Sequence, residues 1–101
     1  MNVLREMIGV KIESVVFLHD YLQLVFLDGS ILSVYNNYQF SEPLDCASAY
    51  DEIVDVIEST LQIQIYFKLR GVLSIGLEDD DFNGPEAIVF FKKGNPPIVW
   101  N

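Results

Sequence analysis

The stretch "LQIQIYFKLR" alternates without a break: Leu61, Ile63, Ile65, Phe67 and Leu69 are apolar, and Gln62, Gln64, Tyr66, Lys68 and Arg70 lie between them. A period of two is that of a strand with one face in the core and one face in water. An earlier stretch has the same form, with Leu22, Leu24 and Phe26 on the inner side. Asp28-Gly29 follows it, a pair suited to a two-residue hairpin turn, and "SILSVY" reads as the return strand. Arg70-Gly71 stands at the same place after the second strand, with glycine supplying a positive φ. "VLSIGL" and "AIVFF" read as further strands, and a short last one, "IVW", starts after Pro96-Pro97.

These two stretches belong to a longer repeat. At an ungapped offset of 41, residues 12–34 fall on residues 53–75. Ile12 meets Ile53, Val15 meets Val56, Gln23 meets Gln64, Phe26 meets Phe67 and Leu32-Ser33 meets Leu73-Ser74. The repeat decides an ambiguous segment. "YDEIVDVIEST" places Tyr50, Ile53, Val54, Ile57 and Leu61 at helical spacing, with acids on the other side. Its β-branched content and its alignment with the first copy favour a strand from about residue 53 to 60. "NVLREM" reads as one helical turn closing an end. Between the copies, "NNYQFSEPLDCASAY" reads as irregular, and loops of that length in a small domain are often functional.

The expected architecture is mainly β: an antiparallel barrel or sandwich of seven to eight short strands, built from two repeated three-stranded units in a single domain over residues 1–101. Two similar sheets packed across a pseudo-twofold axis and a closed small barrel both satisfy the pattern. Half of the residues are hydrophobic, enough for a core and too many for a disordered chain. No apolar run approaches the roughly 18 residues of a membrane span. "MNVLREMIGV" lacks the apolar segment of a signal peptide, so a cytoplasmic location is expected. Cys46 is the sole cysteine and forms no internal disulfide.

Charge changes the picture most. Six basic residues against 15 acids give a formal net charge of −9, and no Lys or Arg stands between Lys11 and Lys68. Such a field repels nucleic acid and anionic lipid and attracts basic proteins; it also keeps an apolar domain in solution. Catalytic equipment is sparse. His19, the one histidine, lies at an expected turn, and no serine sits in a nucleophile-elbow pattern. A glycine-rich phosphate loop is absent as well. The reading is therefore of a non-enzyme with no cofactor.

"GLEDDDFNGPEAIVFF" raises a metal question. Asp79, Asp81, Asn83 and Gly84 match the first half of a calcium loop, but the position that needs a bidentate Glu is Phe90, and a strand follows where a helix is required. Asn83-Gly84-Pro85 then reads as a turn that presents acids outward. Tyr35, Tyr38, Phe40 and Tyr50 flank the inter-repeat stretch and read first as core, with contact residues as the alternative.

The "G-x-K-I-x-S-V" start, the "L-x-F-x-D-G-S-x-L" hairpin, "N-G-P-E-A" and the terminal "I-V-W-N" resemble small acidic bacterial proteins found among polymorphic toxin genes. An acidic, β-rich chain without catalytic equipment looks like the immunity proteins of those systems, including contact-dependent growth inhibition. The resemblance implies a protein that binds one cognate toxin domain, with a basic nuclease as the expected class, and blocks its active site with an acidic surface. It is expected to act as a monomer or weak homodimer, without nucleic acid or membrane. The expected contact residues are Glu78, Asp79, Asp80, Asp81 and Glu86, together with Glu42, Asp45, Asp51 and Asp55 from the acidic run. A small β-barrel holding an apolar ligand is the alternative reading.

Overall fold

The computed structural model describes residues 3–41, 51–69, 71–92 and 94–100. Within them a 3-10 turn (Val3–Met7) leads into nine strands: β1 (Ile12–Phe17), β2 (Leu22–Phe26), β3 (Ile31–Val34), β4 (Tyr38–Phe40), β5 (Ile53–Glu58), β6 (Gln62–Phe67), β7 (Val72–Gly76), β8 (Ile88–Phe91) and β9 (Ile98–Trp100). The strands form two antiparallel sheets, one ordered β1-β2-β3-β8-β9 and the other β4-β7-β6-β5. Nine strands replace the expected seven or eight. β4 is the unforeseen one, lying in a stretch that reads as irregular because "YQF" is too short to show alternation. The strands do not close into a barrel. Segment 53–58 is a strand, as its β-branched residues require.

The pairing registers carry the repeat. Ile12 faces Phe26 and Leu24 faces Leu32 in the first sheet; Ile53 faces Phe67 and Ile65 faces Leu73 in the second. Each pair is displaced by 41 positions. Even the bulge recurs, between Ile12 and Ser14 and again between Ile53 and Asp55. The two copies meet where their first strands begin. Lys11 and Glu52 form an isolated antiparallel bridge, with Ile12 N–H donating to the Asp51 carbonyl at 2.7 Å and Ile53 N–H donating to the Val10 carbonyl at 3.1 Å.

The inner face follows from the alternation. Leu22, Leu24 and Phe26 of β2 pack with Ile63, Ile65 and Phe67 of β6, and Leu32 and Leu73 add the return strands; all belong to one buried cluster. The hairpin after β2 has three loop residues, not two. Phe26 N–H donates to the Ser30 carbonyl and Gly29 N–H to the Phe26 carbonyl, with Gly29 at φ 90°. This is a type I turn closed by a glycine bulge, and the left-handed position explains why glycine stands there. Phe67 N–H and the Gly71 carbonyl make the equivalent contact in the second copy, so Gly71 corresponds to Ser30.

The fourth strands are exchanged. β4 follows β3 in sequence but pairs with β7, and β8 follows β7 but pairs with β3. Val34 faces Ile88 as Ile75 faces Tyr38, so the exchanged strands are 50 positions apart, whereas the strands they join are 41 apart. The connection from β7 to β8 is thus nine residues longer than its counterpart. That extra length is the acidic stretch. Among the described residues no helix is long and apolar enough to cross a membrane.

Candidate functional site

The acidic connection is held down at several points. Asp79–Asp81 form a 3-10 turn in which Asp81 N–H donates to the Glu78 carbonyl at 2.8 Å. Glu78 N–H in turn donates to the Asp81 carboxylate at 3.2 Å. The neighbouring crossing, residues 35–37, supplies the rest. Asn37 N–H donates to the Asp81 carbonyl at 2.8 Å, and the Asn83 side-chain amide donates to the Tyr35 carbonyl at 2.9 Å and to Asn37 Oδ1 at 3.1 Å. A loop that uses its polar groups in this way presents its remaining charges from a fixed frame.

Glu78, Asp79 and Asp80 are exposed. Asp81 is half-buried and lies over Gly76, where a Cβ would overlap its carboxylate. One of the four consecutive acids is therefore a brace. The first-half calcium pattern is dispersed likewise: Asp81 faces the Glu78 amide, the Asn83 amide donates to the Tyr35 carbonyl and to Asn37, and Phe90 is core. Among the described residues no three His, Cys, Asp or Glu side chains gather as a metal site.

Two open grooves flank this crossing. One, of about 620 Å³, is lined by His19, Asp20, Tyr21, Tyr35, Pro85 and Glu86, among others. A depression of about 330 Å³ continues it and adds Asn36, Asn37 and Tyr38. The other groove, of about 400 Å³, lies beside Leu61, Gln62, Gly76, Glu78 and Asp81. The two are related by the repeat, since Tyr21 corresponds to Gln62 and Tyr35 to Gly76 at the offset of 41. The first is walled by two tyrosines, Tyr21 and Tyr35, whereas the second is lined by one, Tyr38. The rings of Tyr21 and Tyr35 lie 4.8 Å apart between centroids and are tilted by 30°. Among the described residues that line either groove there is no Lys or Arg.

The expected contact acids do not form one surface. Glu86 joins Asp20 at the first groove, and Glu78 and Asp81 edge the second. Asp51 and Asp55 lie toward the other end of the strands. β6 runs from Gln62, which faces Gly76 beside the acidic turn, to Phe67, which faces Ile53 beside Asp51. Asp51 is only 2 % exposed, with Oδ1 accepting from the N–H groups of Glu52 and Leu69. The sequence reading placed it on a partner surface; it is instead an internal clamp on the turn after β6. Asp55 is part-exposed and lies 3.5 Å from the Arg5 guanidinium. Glu42, Asp45 and Tyr50 lie outside the described residues.

Tyr35 and Tyr38, read first as core, are half-buried and exposed respectively; Phe40 does pack against the core. Tyr21, Asp20 and Asn36 drew no attention in the sequence. Their signal was present as a break in the repeat, where a tyrosine pair in one copy replaces a glutamine and a glycine in the other. Compared with protein-family models, with curated proteins and with solved structures, the chain matches none.

Proposed function

We propose that this is an immunity-type binding protein, which captures a basic toxin domain and covers its active site with the acidic end of the sandwich. A nuclease is the toxin class that the charge favours, because its substrate groove is built to hold phosphates and is correspondingly basic. The observation that carries the reading is the hydrogen-bonded turn with Glu78, Asp79 and Asp80 exposed, formed by the β7–β8 connection that is nine residues longer than its counterpart in the first copy. A net charge of −9 supports fast capture, because opposite fields raise association rates toward the order of 10⁸–10⁹ M⁻¹s⁻¹ at low salt.

The test is protection of cells that express a candidate toxin domain, starting with any encoded next to this chain. The triple variant Glu78→Lys, Asp79→Lys, Asp80→Lys should lose protection, and its association rate should fall at least tenfold at low ionic strength. All three side chains are exposed, so folding should be unchanged by circular dichroism. Full protection by the folded variant would end the acidic-turn reading.

A further inference from the structure

We infer that the groove walled by Tyr21 and Tyr35 is a seat for a guanidinium group, an arginine side chain of the protein partner. The identity of the partner rests on the proposed function; the chemistry of the seat rests on the groove itself. The groove offers two carboxylates and two tyrosine rings, and among the described residues neither Lys nor Arg lines it. Asp20 and Glu86 are both among its lining residues, and the two tyrosines contribute rings 4.8 Å apart. A planar cation is attracted by both kinds of group, and arginine stacks on aromatic faces better than lysine does.

Asn36 supplies the independent observation. It is 1 % exposed and lines the depression that continues the groove past Tyr21 and Tyr35. Its Nδ2 donates to the Gly76 carbonyl at 2.7 Å, which fixes the orientation of the amide. Its Oδ1 has no hydrogen-bond partner among the described residues. A buried acceptor left in that state costs free energy until a donor arrives. The guanidinium fork carries five N–H donors and no acceptor, so it suits a site of carboxylates and a buried amide oxygen without placing an acceptor against them.

The repeat sharpens the assignment. At the equivalent place in the second copy, Gln62 and Gly76 stand for the tyrosines, and the Asp81 carboxylate lies over the glycine.

The experiment is an NMR titration of the ¹⁵N-labelled chain with N-acetyl-arginine amide, and with N-acetyl-citrulline amide as the uncharged isostere. Saturable shifts of the Asn36 side-chain amide and of the amides of Tyr21 and Tyr35 are expected with the arginine compound alone. Asp20→Asn with Glu86→Gln should weaken binding at least fivefold. Glu78→Gln with Asp79→Asn should leave it within twofold. Tyr35→Leu should also weaken binding, and because Tyr35 is the first residue of the crossing, its spectrum must first show a folded chain; Tyr21→Leu serves if it does not. Equal shifts with citrulline, or shifts confined to residues 78–80, would overturn the assignment. Loss of this seat with protection still abolished by the acidic-turn triple variant would refute the groove and spare the proposed function. The reverse pattern would do the opposite.

Discussion

Asp51 shows how far a single side chain can depart from what its charge suggests. In the sequence it is one of many acids in a basic-free run. In the fold its Oδ1 accepts two backbone N–H groups and ties the start of β5 to the turn after β6. Asp51→Ala leaves both donors without that acceptor and should lower stability by about 1–3 kcal/mol in urea unfolding. Asp51→Asn keeps the acceptor and should lose clearly less. Equal midpoints for the alanine variant and the wild type would refute the clamp. Gly76 is a second case. An alanine there meets only the end of the Asp81 side chain, which can swing away, so Gly76→Ala should cost less than about 1 kcal/mol. The consequence belongs to the turn: Glu78 N–H loses its acceptor and should exchange with solvent faster. Neither role was legible in the sequence, since both depend on which distant backbone lies alongside.

At the scale of elements, most of the fold was legible. Alternation placed Leu22, Leu24 and Phe26 and their counterparts Ile63, Ile65 and Phe67 on one inner face, and all six are buried. The repeat resolved β5 as a strand against its helical spacing. Because the copies already exchange leucine for isoleucine at these positions, Leu22→Ile and Leu24→Ile should each cost under about 1.5 kcal/mol. Leu24→Ala, which removes buried volume, should cost about 2–5 kcal/mol. Urea unfolding of the three variants separates the cases, and an isoleucine variant as unstable as the alanine one would show that the two inner faces are not equivalent. What alignment could not show was β4. Its three residues carry no period, and its partner β7 lies 33 to 37 positions on in the chain, with Phe40 facing Leu73 and Tyr38 facing Ile75.

For the whole molecule, the exchange of β4 and β8 has the largest consequence. Each sheet takes its fourth strand from the other copy, so neither copy holds a complete sheet. Separate chains covering residues 1–41 and 51–101 should each be unfolded alone and should recover the native spectrum when mixed. Circular dichroism and NMR of the pieces check this; a first piece that folds by itself would show that the exchange is incidental. The same exchange brings residues 35–37 against residues 81–83, which is what builds the two grooves and holds the acidic turn. The predicted contact acids are therefore divided. Glu78, Asp79, Asp80 and Glu86 sit around the crossing, whereas Asp51 and Asp55 lie toward the other end of the strands.

The sequence by itself determined the inner faces, the strand period, the repeat and the sign of the field, because each is set by side-chain type at fixed spacing along one strand. Tertiary structure alone decided the rest. Which sheet each fourth strand joins, which acid faces water, and that Tyr21 meets Tyr35 near Asn36, whose Oδ1 has no partner among the described residues, all depend on contacts between separate segments of the chain. Local pattern is silent on such contacts, since they follow from the closing of two sheets around one core.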